Sequence, residues 1–403
     1  MEAMRILMIN ICCGTGSTGR ICTDLAARLE EAGHEVKIAY ARDGLPEWAE
    51  KCAVRIGTTA DVLCHAASAR LLDNAGFASR YATAKFLRWV REYDPDIIHL
   101  HNLHGYYIHV GLLFDYLKQS GKRVIWTLHD GWAMTGHCAH FDFIGCDKWS
   151  TTGCFDCPQT REYPVCIGAD RSKRNFIRKK ETFCGVPDMT LVTVSEWLKG
   201  VVRQSFLKDY PIEVIPNGID LQAFKPTNSD ALIRKYGLEG KKVILGVAQN
   251  WGVKKGLQDM LRLSQLLPAD CQVVLVGLTK QQVKDLPSNV IGITRTNDLP
   301  ELAAFYSLAH VFLNLSVEES MGMTTLEALA CGTPAIVYNR TAVPEVIDDS
   351  CGWAVSPGNF REILHILESM GSKEQYTKAC LARAEKYEKC QQYANYIALY
   401  EAT

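Results

Sequence analysis

Glu319 and Glu327 stand eight positions apart in the segment ESMGMTTLEALACGTP, residues 319–334, on either side of a glycine turn and a helix start. Gly322 can adopt backbone angles closed to other residues. Met323, Thr324 and Thr325 then lead into the apolar series Leu326, Leu329 and Ala330, so amide N–H groups converge at a helix N-terminus. A diphosphate suits that position. Glu319 precedes the turn and Glu327 lies about one helical turn inside it, so one carboxylate can meet sugar hydroxyls while the other accepts from a ribose. A capped helix with surface acids would use the same residues.

Other chemistry-bearing residues fall at strand ends. His129 closes the apolar run 124–128 and precedes Asp130, at the carboxyl end of a strand, where open α/β sheets bind ligands. Strand alternation puts His99 and His101 on one side, and His99 suits a satisfied core histidine; His104 follows in the next loop. Gly14, Gly16 and Gly19 form GxGxxG at the first strand-to-helix turn, but the second strand ends in residues 39–42 with no acid before Asp43, which disfavours a nicotinamide cofactor. For Gly19 a tight helix–strand contact is an equal reading.

Cys138, Cys146, Cys154 and Cys157 lie in an insertion at residues 131–168 that is too rich in Gly, Asp, Thr and Trp to bury much core. Their spacing suits a structural tetrahedral zinc, with Cys166 and His137 as alternative ligands. The competing readings are disulfides, or thiols packed beneath Trp132 and Trp149. Arg171, Lys173, Arg174, Arg178, Lys179 and Lys180 follow on a helix. Such a basic, partly apolar helix either touches anionic lipid or is a solvated face. Asp94-Pro95-Asp96 is a turn before a strand.

The elements that must position these groups alternate. Apolar runs at 5–11, 36–41, 97–100, 124–128, 191–194 and 212–215 are strand-like, most of them separated by amphipathic segments such as 81–91. Alternation of this kind predicts a parallel sheet. After turn residues at 216–226, a second series begins at 243–247, 273–276, 290–293, 311–315 and 335–337. The expectation is an α/β chain of two Rossmann-like domains, 1–216 and 217–385. The cleft between them is the expected site.

The chain of 403 residues is 47% hydrophobic, enough for two or three domains at roughly 150 residues each. A formal net charge of -1 argues against a protein that coats nucleic acid. No apolar run approaches the roughly 20 residues of a spanning helix, and residues 1–10 lack a signal core. A cytoplasmic location is expected, and the 16 cysteines are then reduced thiols or metal ligands rather than a disulfide framework.

Taken in order along nearly the whole chain, these segments resemble the retaining glycosyltransferases of the E-x7-E family (glycosyl transferases group 1, family 4), which have the two-domain GT-B fold. The resemblance implies that the C-terminal helix, at about 386–403, packs back on the first domain, although the aromatic stripe at 387–400 would equally suit packing on the second. Besides 319–334, the matching stretches are RILMINICCGTGSTGR, DIIHLHNLHG around His101, WTLHDGW around His129, VTVSEWL around Ser195, VIPNGID at Asn217 and VPEVI at Glu345. The cysteine-bearing insertion is similar to that of a subset of bacterial exopolysaccharide and colanic-acid-type enzymes. The resemblance implies transfer of a hexose-type unit from a nucleoside-diphosphate sugar to a saccharide acceptor, lipid-linked in bacterial polysaccharide synthesis, without a catalytic metal. It further implies peripheral contact with the inner face of the cytoplasmic membrane.

By the same resemblance Glu319 positions the sugar, Glu327 the ribose, and His129 the transferred unit, while Lys255 and the Gly322 helix start carry the leaving phosphate. Gly14 and Gly16 face donor phosphates; His101, His104 and Asn217 fall on the acceptor side; Ile293, Thr294 and Arg295 lie near the base. In GVAQNWGVKKG, residues 246–256, relatives carry G-R-L-x-x-x-K-G. Here Lys255 matches the lysine, with Lys254 beside it, but Gln249 or Asn250 replaces the arginine. Neutral amides donate hydrogen bonds without charge, so Lys255, helix dipoles and Arg295 must carry more of the phosphate. Two other readings remain: a different sugar-nucleotide enzyme, an epimerase or hydrolase, and an inactive scaffold serving as a zinc-dependent binding module.

Overall fold

The structure is a computed structural model and describes residues 3–42 and 44–402; Asp43 lies outside the described residues. The chain divides into two compact units. Unit 1 extends to Ile215 and resumes at Asn395, and unit 2 is Pro216–Ala394.

Unit 1 is built on seven parallel strands: β1 Arg5–Ile9, β2 Glu35–Tyr40, β3 Ala53–Arg55, β4 Ile97–Leu100, β5 Arg123–Leu128, β6 Met189–Thr193 and β7 Ile212–Val214. Their order is β3-β2-β1-β4-β5-β6-β7. Ile6, Leu7, Met8 and Ile9 are each 0% exposed, as expected for a strand covered on both faces, which is why the run is apolar without alternation. Ile9 pairs with Leu100, and Leu100 with Trp126. The loops after β1, β4 and β5 therefore emerge side by side, at the point where the strand order reverses. Helix Gly16–Glu31 follows β1 directly. A Cβ on Gly19 would stand 2.9 Å from Cys12 Sγ, so that glycine is fixed by close packing.

Unit 2 repeats the plan with β8 Lys242–Val247, β9 Cys271–Val276, β10 Val290–Ile293, β11 Val311–Asn314, β12 Ala335–Tyr338 and β13 Gly352–Val355. All pairs are parallel, in the order β10-β9-β8-β11-β12-β13. Reversal falls between β8 and β11, and the loops after these two strands carry Lys255 and Glu319.

The C-terminal helix Lys389–Glu401 begins in unit 2, where Lys389 N–H donates to Ile219 O at 3.0 Å. Its last turns belong to unit 1. There the buried hydroxyls of Tyr396 and Tyr400 lie 3.1 Å from Thr127 Oγ1 and 2.5 Å from His99 Nδ1. Residues 135–171 hold turns and bends only, closed over a small core in which the Phe141 and Trp149 rings are 4.7 Å apart. No helix among the described residues is long and apolar enough to cross a membrane.

Candidate active site

In unit 2 the loop after β8 is held against the end of β11. Gly256 has φ +73°, and a Cβ there would lie 2.3 Å from Leu315 O; Val317 N–H donates to Lys254 O at 2.9 Å. Only glycine permits this approach, and it brings Lys255 Nζ to 2.9 Å from Glu319 Oε1. Glu319 is tethered in turn, its N–H donating to Thr341 Oγ1 at 3.0 Å. Its side chain is 13% exposed against 36% for Lys255, so the pair is reachable yet partly shielded.

Helix Met323–Ala330 starts at Gly322 with no side-chain cap. Its first amide groups are thus an open positive end suited to an anion. Asn314 Nδ2, at the end of β11, donates to Thr325 Oγ1 at 3.0 Å and pins the first turn. Glu327 Oε2 accepts from Tyr306 OH at 2.6 Å. Tyr306 is 0% exposed; burial, reinforced by the neighbouring Glu327 carboxylate, holds its phenol well above the usual range, so it stays a donor. Met321 Sδ receives the Asn217 N–H at 3.2 Å, which ties Asn217 to the same loop.

Gln249 and Asn250 are exposed just beyond β8, and Trp251, which follows, is anchored by its Nε1 donating to Val276 O at 2.8 Å. Beyond β10, Thr294 and Arg295 are exposed. Ile293 is buried, and its carbonyl is taken by the N–H groups of Gly277 and Leu278.

In unit 1 strand β4 and the loops after β4 and β5 bring four imidazoles together. His101 Nδ1 lies 3.2 Å from His129 Nε2 with the rings stacked at 17°. Burial drives His129 down to about 4, with Asp130 opposing and His104 assisting. At neutral pH it is an uncharged ring that can offer a hydrogen bond but not a full charge. His101 is 1% exposed and stands behind His129, its Nε2 buried without a partner. His104 bridges Asp130 Oδ2 at 2.8 Å and Tyr163 OH at 2.9 Å. Burial would raise the Asp130 carboxyl, but His104 outweighs it and holds the group below the usual range. His99 is a core histidine, bonded to Tyr400 and to Thr127 Oγ1 at 2.8 Å.

The loop carrying Gly14 (φ +71°) and Gly16 (φ +65°) is anchored by Asn10. Its Nδ2 donates to Cys12 O at 2.8 Å, and its Oδ1 accepts from Asn102 N–H at 3.3 Å. Asn10 and Tyr306 escaped the sequence reading. Asn10 had a signal, a polar residue closing an apolar strand; Tyr306 had none, because its partner is 21 residues distant.

One expectation is corrected. Lys179 is not on the basic surface: it is 1% exposed, with Nζ donating to Trp132 O at 2.6 Å and lying 3.6 Å over the Trp132 ring. Lys173, Arg174 and Lys180 on helix Ser172–Phe183 are exposed beside Ile177, while Arg178 covers the Phe77 ring at 3.7 Å. Asp94 and Asp96 are structural: Asp94 caps a helix and pairs with Arg5 and Lys122, and Asp96 accepts from Arg5 N–H.

The two parallel-sheet units, each with its candidate residues on loops beyond the strand ends, define the GT-B class. Sucrose-phosphate synthase of Thermosynechococcus elongatus superposes with a TM-score of 0.71 at 16% identity, covering 98% of both chains. HepE of Anabaena, solved in complex with UDP, gives 0.69 at 15% identity over 99% of this chain and 100% of that one. Residues 18–223 match the family described as Glycosyltransferase Family 4 and residues 228–395 that described as Glycosyl transferases group 1, and the chain belongs to this glycosyltransferase family. Among sequence relatives, WcaC of Escherichia coli (strain K12), assigned as a glycosyl transferase of colanic acid biosynthesis, is 23% identical over 382 residues, 91% of this chain and 90% of WcaC. O-antigen chain mannosyltransferase B of Escherichia coli is 26% identical over 49% of this chain and 56% of its own length.

Proposed function

We propose that this glycosyltransferase moves a hexose-type unit from a nucleoside-diphosphate sugar, with retention of configuration, to a lipid-linked saccharide in bacterial polysaccharide synthesis. The observation that carries the reading is the Lys255–Glu319 pair at 2.9 Å, beside an uncapped helix start and with Glu327 held by Tyr306. Supporting it, HepE has been solved with UDP and with UDP-glucose, and WcaC is assigned to colanic acid synthesis.

In this reading the donor pyrophosphate displaces Glu319 from Lys255 and takes the amide groups of Met323 and Thr324. Glu319, released, accepts from sugar hydroxyls. Glu327, with Oε2 held, turns its other oxygen to the ribose. As the bond to the leaving phosphate breaks, Lys255 and the helix start stabilise the negative charge that develops there. The departing phosphate takes the acceptor proton on the same face of the sugar, which preserves configuration. Neutral His129 supplies a hydrogen bond to the sugar as it gains oxocarbenium character. With charge neutralised by these groups, added magnesium should leave turnover unchanged. The exposed cations and Ile177 of helix Ser172–Phe183 meet an anionic membrane surface near the lipid-linked acceptor.

Sugar nucleotides screened by thermal shift identify the donor, because a ligand bound only by the folded chain raises its midpoint. Product NMR with that donor and a lipid-linked saccharide should show the donor's anomeric configuration. An inverted product, or release of free sugar at the same rate without acceptor, would overturn the reading.

A further inference from the structure

Transfer chemistry leaves unused a cluster of metal-ligating side chains in the insertion. All its cysteines are free thiols. Cys157, Cys154 and Cys146 all lie within electrostatic reach of Cys138. His137, 2% exposed, places Nδ1 at 2.6 Å from Asp73 Oδ1, which leaves Nε2 buried with no hydrogen-bond partner. Cys157 is the thiol that this imidazole senses. A carboxylate on one nitrogen and an empty lone pair on the other is the arrangement by which proteins orient a metal-ligating histidine.

Two further observations agree. The buried Lys179 ammonium lies within electrostatic reach of Cys154 and Cys138, and a cation there favours their thiolate forms. In addition, Gly136 N–H donates to Cys154 Sγ at 3.2 Å, the contact that spreads thiolate charge. No other residue fits there, since a Cβ on Gly136 would lie 2.1 Å from Ser172 O.

We propose that His137, through Nε2, and the thiolates of Cys138, Cys154 and Cys157 bind a zinc ion, with Asp73 orienting the imidazole. Three sulfurs and one nitrogen suit tetrahedral zinc. Three thiol protons leave to solvent as the ion enters, and no electron is transferred. Among the described residues no three His, Cys, Asp or Glu side chains stand in a metal-holding arrangement. The ion must therefore draw Cys154 and the imidazole onto the Cys138–Cys157 pair, and residues 135–171 have no helix or strand to resist that movement. Closure would brace the chain that follows His129 and Asp130. The inference stands independently of the transfer chemistry.

The full-length chain, purified from zinc-supplemented cells and dialysed without chelator, should carry about one zinc per chain by elemental mass spectrometry. Cobalt(II) replacement should give the visible bands of a tetrahedral site with near-ultraviolet thiolate charge transfer. Cys157→Ser and His137→Gln should each weaken zinc at least ~10-fold in competition with a chromophoric chelator, while Cys146→Ser keeps full stoichiometry. So that the outcome does not hang on variant folding, zinc is also titrated into metal-free wild type; a raised melting midpoint, absent with magnesium, is expected. A wild-type chain that takes up neither zinc nor cobalt overturns the proposal. So does a Cys146→Ser variant that loses the ion while His137→Gln retains it.

Discussion

Unit 1 gathers neutral imidazoles where unit 2 gathers opposite charges, although both mount their residues on the same loops of the same kind of sheet. All but two of the 11 histidines precede Ile215, and His99, His101 and His129 are driven below their ordinary value by burial first of all. In unit 2 the corresponding loops and the helix Met323–Ala330 hold a lysine and two carboxylates, paired at 2.9 Å and 2.6 Å with partners in the same unit. Buried neutral rings keep fixed hydrogen bonds without a counter-ion, whereas partly exposed charges are held by partners that a ligand can replace. On the proposed function, the handling of phosphate charge falls to unit 2 and the shaping of neutral contacts to unit 1.

The sharpest way to break that division is Lys255→Ala. If unit 2 alone carries the leaving-group charge, with no arginine at residues 246–256 to share it, kcat should fall about 10²–10³-fold. Glu319 would then lose its partner, so the donor Kd should change less than kcat. A loss below about tenfold would mean that other cations, Lys254 and Arg295 of unit 2 or those of unit 1, share the load.

Acid tests the other half. His65 and His129 titrate at about 4 in the folded chain, against about 6.5 when unfolded. Between these values the unfolded chain binds protons that the folded chain refuses, so stability is full above about 6.5, falls as pH drops toward 4, and levels off below. Each such histidine removes up to about 1.4 kcal/mol per pH unit in that window. Opening free energies from hydrogen exchange should therefore fall more at β4 and β5 than at β8 and β11 between pH 7 and 5. Equal losses in both units would erase the distinction.

How much of this was legible depended on range. Long apolar runs announced most strands, but β3 and β13, with three and four residues at sheet edges, have no run to read. The Glu319–Glu327 spacing is local and could be read directly. The burial of Lys179 could not, because a helix rich in Lys and Arg looks solvated until Trp132, 47 residues earlier, supplies a carbonyl and a ring. The His101–His129 pair spans two strands, and only their parallel register brings it together.

Tyr306 gives the smallest and most specific effect. Its buried hydroxyl donates to Glu327 Oε2 at 2.6 Å, and Phe would keep the ring contacts with Phe312 and Phe224. Tyr306→Phe removes a single charge-assisted hydrogen bond, worth about 1.5–3 kcal/mol where the acceptor is ionised. The freed carboxylate, being only half-buried, regains some of that from water. Donor affinity should therefore weaken roughly tenfold at the low end of that range, with kcat at saturating donor nearly unchanged, because the ribose contact is the same in the ground and transition states. The difference should vanish for a donor lacking the ribose hydroxyls. If Tyr306→Phe instead lowers kcat at saturation, Glu327 acts on the reacting centre, and the charges of unit 2 do more than hold the nucleotide.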